Sequence, residues 1–295
     1  MPTHLVWFRA DLRVHDNIAL AAACRSQDAR VLALFIATPG QWQQHDMAPR
    51  QAAFLSAHLN DLQRSLAEKG IPLIYREVSD FAAQLLTIQE VCQQNDVTHL
   101  FYNYQYELNE RQRDRQLETL LSEVQCQGFD DSVMLAPGSV MTGSHEMYKV
   151  FTPFKNAFVK RLKEVLPECV PAPSTRGDAI TDLPELTFNY PQQAFDALLF
   201  PANEKAAIAK LRQFCKQGAG DYDARRDFPA IEGTSRLSAS LALGVLSPRQ
   251  CLHRLLAEQP QALDGGSGSV WLNELIWREF YRHLMTYHPD LDRKS

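Results

Sequence analysis

The chain has 295 residues, of which 45% are hydrophobic and 22% charged, and its formal net charge is −5. This composition is that of an ordinary globular protein, and the length is sufficient for two domains. No apolar run reaches the ~18 residues that a membrane-spanning helix needs, and no secretory signal is visible at the N-terminus. The net charge argues against a surface coated in positive charge, although it allows a local basic groove.

Cysteine usage indicates the redox compartment. The six cysteines are scattered singly, without Cys-x-x-Cys spacing: Cys24, Cys92, Cys126, Cys169, Cys215 and Cys251. This pattern fits reduced thiols in the cytosol better than a disulfide framework or a zinc site. We therefore expect a cytoplasmic protein with no membrane partner and no bound metal.

The first 130 residues alternate strand and helix signals. Short apolar runs predict strands at 5–8, 31–36, 72–75 and 98–102, and helical spacing predicts helices at 17–24, 50–69 and 81–94. Repeated βα units imply a parallel sheet with helices on both faces, so we predict an α/β domain over residues 1–130. Ligand sites in such sheets lie beyond the carboxyl ends of the strands, where 9–17, His45 and 103–110 fall.

The first strand is followed by charged residues instead of a nucleotide-binding fingerprint. The chain contains neither Gly-x-Gly-x-x-Gly after this strand nor a P-loop motif, so a dehydrogenase or P-loop NTPase has no support. Arg9, Asp11, Arg13 and Asp16 occupy this turn. On charge pattern alone we expect them to pair with one another and to fix the turn.

Residues 131–200 are predicted to be an interdomain linker, because seven prolines interrupt regular structure there. Within it, an aromatic segment at 148–158 leads into a basic helix with Lys155, Lys160, Arg161 and Lys163. We interpret most of these aromatics as packing and the cations as a solvated face.

Residues 201–295 read as helical throughout. The pattern predicts a helix at 204–215, an N-cap at Ser247 with Pro248 in the first turn, and an aromatic helix that Ser269 caps. The run Gly-Thr-Ser-Arg-Leu-Ser at 233–238 offers backbone N–H groups, hydroxyls and a guanidinium that can bind phosphate.

The helix from Ser269 mixes aromatic and charged residues. Trp271, Glu274 and Arg278 share one face, and Trp277 and Tyr281 flank it. Such a surface can stack on a flat ring system and bind an anionic group. A core helix whose Arg and Glu pair with each other gives the same pattern, so the helix alone leaves both interpretations open.

Four motifs in order resemble the photolyase/cryptochrome family, most closely the bacterial class I cyclobutane-pyrimidine-dimer photolyases. They are Trp-Phe-Arg-Ala-Asp-Leu-Arg-Val-His-Asp-Asn at 7–17, Tyr-Lys-Val-Phe-Thr-Pro-Phe at 148–154, the run at 233–238, and Trp-Leu-Asn-Glu-Leu-Ile-Trp-Arg-Glu-Phe-Tyr at 271–281. The resemblance implies an N-terminal α/β antenna domain, a long linker and a helical domain that carries FAD. It agrees with the three zones described above.

The resemblance also assigns roles to individual residues. It implies FAD contacts from Tyr222, Thr234, Ser235, Arg236, Leu237, Ser238, Trp271 and Arg278. Glu274 and Trp277 match residues that meet a flipped-out lesion and are the implied catalytic pair, while the implied DNA-binding set is Arg226, Glu274, Trp277 and Arg282. A folate antenna, 5,10-methenyltetrahydrofolate, is implied at His45, Asn109, Glu110 and Arg293, where relatives often carry Lys at the last position.

The implied function is light-driven repair of DNA that contains pyrimidine dimers, by a monomer that passes an electron from reduced FAD to the lesion. A cryptochrome-type blue-light receptor and a flavin-free folate or nucleotide-binding module are the alternatives. Folate and deazaflavin antennas, and cyclobutane and (6-4) lesions, stay open. Family members continue past the position of Ser295, so we expect an incomplete helical domain at 201–295. On this view the chain by itself binds FAD poorly and repairs nothing.

Overall fold

The computed structural model describes residues 1–292. Its centre is a parallel sheet in the order β3-β2-β1-β4-β5. The strands are β1 (Thr3–Phe8), β2 (Arg30–Ala37), β3 (Leu73–Glu77), β4 (Val97–Asn103) and β5 (Gln125–Phe129). Five parallel strands confirm the predicted α/β class. The order reverses direction between β1 and β4, so the crevice between these two strands is the topological switch point of the sheet.

Helices cover both faces of the sheet. They are α1 (Ile18–Ala23), α2 (Pro39–Gln44), α3 (Pro49–Ala67), α4 (Phe81–Gln94) and α5 (Leu108–Leu120). Alternate residues of a strand point to opposite faces. Val6 and Phe8 accordingly pack in one core with α1 and α3, whereas Leu5 and Trp7 pack in the other with α4 and α5.

The remainder of the described chain is helical, with long irregular connections. The helices are α6 (Phe151–Glu164), α7 (Glu204–Gln217), α8 (Tyr222–Arg225), α9 (Ser238–Ala242), α10 (Pro248–Glu258) and α11 (Ser269–Tyr287), with 3-10 turns at Ala262–Asp264 and Pro289–Asp292. Ser247 and Gln250 form a reciprocal capping box at the start of α10, which confirms the predicted N-cap. The domain boundaries predicted at 130 and 200 stay predictions. One apolar core, which contains Phe35, Phe158 and Leu252, runs across both positions.

A buried cluster of four charges joins the sheet to the helices. Asp131 accepts from Arg13 and lies 2.8 Å from the Arg249 guanidinium, which is itself 3.0 Å from Asp16. All four side chains are at most 4% exposed. Burial opposes ionisation of Asp131, but Arg13 and Arg249 outweigh it and hold its pKa below the usual value.

The expected pairing among the charged residues after β1 is present in part: the Arg9 N–H donates to the Asp11 carboxylate at 2.7 Å, and the Arg13 guanidinium donates to the Asp16 carbonyl at 3.1 Å. Arg9 pairs with Asp114 of α5 at 2.7 Å, while Arg13 and Asp16 pair within the buried cluster. Asp11 accepts from Asn103 at 2.6 Å, and burial raises its pKa. These residues fix the turn, as predicted, but their ion pairs are with distant elements, because the sheet brings those elements to its carboxyl edge.

At Gly244, the segment between α9 and α10 approaches the turn after β1 closely. Its φ is +62°, and a Cβ at this position would lie 2.0 Å from the carbonyl oxygen of Ala10. Arg13 donates to the Gly244 carbonyl at 2.8 Å, and the Leu12 N–H donates to that of Leu243. Only glycine allows this backbone contact.

Four hydrogen bonds join helix α11 to residues 132–135 at the start of the linker. Arg278 donates to the Ser132 carbonyl at 2.6 Å, Arg282 to the Ser132 hydroxyl at 3.2 Å, and the Met134 N–H donates to Glu279 at 2.8 Å. The His283 ring pairs with the Leu135 carbonyl at 2.9 Å. Glu279 is fully buried, and burial raises its pKa to about 7.

We predict that Asp131→Asn destabilises the protein by about 3–5 kcal/mol, because it leaves two buried guanidinium groups with a single carboxylate. Urea unfolding at neutral pH measures the change. Asp28→Asn is the matched control, since Asp28 is exposed, and it should alter the free energy of unfolding by less than about 0.5 kcal/mol. Equal effects of the two substitutions would contradict the structural role of the cluster.

We also predict that Glu279→Gln becomes relatively more stable than the native chain as pH rises from 5 to 8. In the unfolded chain Glu279 ionises near pH ~4.3, whereas the folded protein retains its proton to about pH 7. The unfolded state therefore binds fewer protons in this window, and the native chain loses up to about 3 kcal/mol that the Gln variant keeps.

Urea unfolding at four pH values measures this difference. Glu123→Gln, at an exposed position, serves as the control and should show no pH trend. A free-energy difference between Glu279→Gln and the native chain that stays constant from pH 5 to 8 would refute the prediction.

Candidate functional site

The N-terminal half of α11 forms one wall of the candidate site. The helix begins at Ser269, close to the predicted start, but the predicted cap is wrong: the N-cap is Gly268, whose φ is +83°, and no side chain caps the helix. Trp271 is 3% exposed, and its ring centroid lies 5.0 Å from that of Phe214. The Phe214 ring also contacts the Tyr222 ring, with centroids 6.1 Å apart. Phe214 of α7 thus holds two predicted flavin residues, and sequence reasoning missed it because it lies within an ordinary amphipathic pattern.

Glu274 forms an ion pair across the surface with Arg226. The Nη1 of Arg226 lies 2.6 Å from the Glu274 Oε1, and both side chains are partly exposed, at 33% and 41%. The Arg226 guanidinium also lies 5.7 Å from the centre of the Tyr222 ring. Burial, followed by the nearby Glu274 charge, raises the pKa of Tyr222. Two predicted DNA-binding residues and one predicted flavin residue are therefore neighbours.

The two arginines of α11 bind the start of the linker. Arg278 and Arg282 donate to Ser132, and Arg282 also lies 5.8 Å from the Tyr106 ring centre. Burial lowers the pKa of Arg278 to about 10. The alternative of an Arg–Glu pair within the helix holds in part: Arg278 lies 3.6 Å from Glu279, whereas Glu274 pairs with Arg226 and not with Arg278. The FAD contact of Arg278 and the DNA contact of Arg282 stay predictions.

The 233–238 loop presents hydroxyl groups next to α8. Gly233 is buried, and a Cβ there would lie 2.4 Å from the Arg225 carbonyl oxygen, so the loop needs glycine to approach α8. Thr234 and Ser238 are exposed, and the half-buried Ser235 hydroxyl accepts from a backbone N–H of the loop at 3.4 Å. Of the other two predicted flavin residues, Arg236 is half-buried with φ +49° and Leu237 is in the core.

Trp277 has an aromatic partner from the linker. The rings of Trp277 and Phe151 are stacked with centroids 3.5 Å apart and an interplanar angle of 7°. The Tyr281 ring lies beside that of Trp277, with centroids 5.8 Å apart and an interplanar angle of 23°. Tyr281 is 55% exposed, which agrees with its predicted position on the flank. From the sequence we interpreted most aromatic residues at 148–158, where Phe151 lies, as packing residues.

Three of the four predicted antenna residues lie in segments that follow β2 and β4 at the carboxyl edge of the sheet. Asn109 is exposed and Glu110 half-buried in the first turn of α5, and Glu110 lines a cavity of about 270 Å³ at the switch point. His45 is exposed at the C-cap of α2 and is not among the residues that line this cavity. Arg293 lies outside the described residues. Folate binding by this set stays a prediction.

Over residues 1–292, the six cysteines are free. Within the same residues, no group of three or more His, Cys, Asp or Glu side chains has the arrangement of a metal site. The described helices also include none that is both long and apolar enough to cross a membrane.

Known proteins resemble the chain in both sequence and fold. A family model described as DNA photolyase matches residues 4–174, more than half of the chain. Proteins named Deoxyribodipyrimidine photo-lyase from Salmonella typhimurium (strain LT2) and Escherichia coli (strain K12) are 73% and 70% identical over 99% of this chain. The chain spans 62% of the length of each.

A solved structure of a cryptochrome from Synechocystis sp. PCC6803 superposes with a TM-score of 0.83 at 25% identity, over 98% of this chain and 62% of that one. These matches confirm the resemblance inferred from the four motifs. The chain belongs to the DNA photolyase family.

Proposed function

We propose that the protein serves light-driven repair of DNA that contains cyclobutane pyrimidine dimers, with FAD as its cofactor. The observation that carries the proposal is the surface of Trp277, Glu274 and Arg226, which combines a stacking ring, a hydrogen-bond acceptor and a cation. A base that has left the helix needs these three groups: a ring to stack on, a partner for its edge, and a counter-charge for the adjoining phosphate.

The residues beside this surface fit a flavin nucleotide. The exposed hydroxyls of Thr234 and Ser238 and the half-buried Ser235 suit phosphate and ribityl oxygens, and Tyr222 offers a further hydroxyl. We assign Arg236, Leu237, Trp271 and Arg278 to the same cofactor. When bound, reduced FAD supplies the light-driven electron that splits the dimer.

The chain's own residues bind and orient the DNA in this proposal. Trp277 stacks on the extruded base, which contributes about 1–3 kcal/mol in comparable sites. Glu274 accepts from an N–H on the base edge, and Arg226 moves from Glu274 to a phosphate. This exchange is feasible because the Arg226–Glu274 pair is partly exposed, and exposed pairs contribute only about 0–1 kcal/mol.

The finer assignments belong to the same proposal. We assign a 5,10-methenyltetrahydrofolate antenna to His45, Asn109, Glu110 and Arg293, of which Glu110 lines the switch-point cavity. Arg282 and the basic face of α6 add phosphate contacts. We infer a monomer in the cytoplasm, which suits its free cysteines.

A cryptochrome-type light receptor is the second candidate, because the Synechocystis cryptochrome shares the fold. The names of the two relatives at 70–73% identity favour repair. Selective binding of dimer-containing DNA by this chain, and loss of the dimer under blue light with the complete protein, separate repair from sensing.

We predict that the chain, with FAD added, binds a duplex with one thymine dimer at least about tenfold more tightly than the undamaged duplex. Arg226→Ala should weaken binding to both duplexes about tenfold and reduce the slope of log Kd against log salt by about 1. Fluorescence anisotropy with labelled duplexes at several salt concentrations measures both effects.

Arg30→Ala is the control variant, because it also removes one cation but lies exposed at the amino end of β2. It should leave affinity and salt slope nearly unchanged. Equal affinity for damaged and undamaged duplex would overturn the proposal. The absorption spectrum of the same preparation, purified without added flavin, tests the expectation that the chain retains FAD poorly.

A further inference from the structure

Phe151 is the first residue of α6 and lies face to face with Trp277. The two rings are nearly parallel, with centroids 3.5 Å apart, so the contact covers one side of the indole. The Phe280 ring approaches both of these rings edge-on, at 6.0 Å from Phe151 and 5.9 Å from Trp277. Edge-to-face and stacked contacts of this kind fix the plane of a ring as well as burying it.

The element that carries Phe151 is firmly anchored. Phe154 and Phe158 of α6 are fully buried, and both rings contact His283 of α11 at 5.3 Å and 6.0 Å. At the other end of α6, Lys163 forms an ion pair with Asp264 at 2.7 Å. The Phe151 ring is therefore held in place by α6 rather than by a mobile loop.

Helical geometry determines which side of Trp277 this ring occupies. Phe280 and His283, which contact α6, lie on one side of Trp277 around α11, whereas Glu274 and Tyr281 lie on the other. Phe151 covers the indole from the α6 side. The side toward Glu274 and Arg226 also carries the Tyr281 ring, 5.8 Å from the indole and 55% exposed. A base bound by Glu274 and Arg226 would use this side and move the exposed Tyr281 ring aside.

We propose that Phe151 is a positioning residue for the lesion: it holds the Trp277 indole in the plane on which the extruded base stacks. This inference rests on the proposed function. A side chain that is already immobilised loses less conformational freedom on binding, so a pre-oriented ring binds its ligand more tightly than a free one. The effect is confined to DNA whose base reaches Trp277.

The test compares Phe151→Leu with Phe151→Tyr in the full chain with FAD added. Leu keeps apolar packing but cannot stack, whereas Tyr keeps the ring. We expect Phe151→Leu to weaken binding of the thymine-dimer duplex about five- to tenfold, and to change undamaged-duplex affinity less than about twofold. Phe151→Tyr should restore the native selectivity. In a Trp277→Leu background, Phe151→Leu should have no further effect.

A direct signal from the ring accompanies the binding data. Phe151→Leu should change the near-UV circular dichroism of Trp277, identified by subtracting the Trp277→Leu spectrum, while Phe151→Tyr retains a stacked signal. If Phe151→Leu unfolds, Phe151→Met replaces it, because Met fills the space without an aromatic face.

The outcomes separate the two proposals. A native chain that does not discriminate the dimer contradicts the proposed function, and the dichroism then tests the Phe151–Trp277 stack by itself. The positioning role is overturned if the native chain prefers the thymine-dimer duplex and Phe151→Leu binds that duplex at least as tightly as the native chain does. Unchanged dichroism of Trp277 in Phe151→Leu overturns it as well.

Discussion

The buried charges of Asp16, Asp131, Arg13 and Arg249 are the interaction on which the arrangement of the molecule depends. They come from the turn after β1, the start of the linker and the start of α10, and they neutralise one another away from water. Removing one member leaves a charge that no solvent can stabilise, so the cluster specifies one arrangement of sheet, linker and helices. The wall on α11 has a defined position only because this arrangement is fixed.

The sheet was largely predictable from the sequence, because buried parallel strands are continuous apolar runs and leave a strong signal. The predicted strands at 5–8, 31–36, 72–75 and 98–102 all exist, with ends that differ by up to two residues. The sequence did not predict α5 and β5. Helix α5 is mostly charged or amide residues, and β5 is an edge strand of Gln-Cys-Gln-Gly-Phe, so neither shows a clear apolar period.

Part of the candidate site was also predictable, since residues three or four apart on α11 share a face wherever the helix lies. The long-range partners could not be derived in the same way. Glu274 contacts Arg226, 48 positions earlier, and Trp277 contacts Phe151, far back in the linker. Helical spacing says which residues share a face but not what is packed against it, and Phe214 and Phe151 were missed for that reason.

Burial distinguishes two arginines whose guanidinium groups are held by the linker from Arg226, whose partner can be exchanged. Arg249 and Arg278 are largely enclosed and satisfy oxygens of the linker, so moving either guanidinium would leave buried acceptors unpaired. Arg226 is partly exposed and pairs with a partly exposed Glu274. A phosphate can replace that carboxylate at little cost, because water already screens the pair. The same helix can therefore be rigid where it contacts the linker and exchangeable where it faces solvent, and the exchangeable side is where we propose that DNA binds.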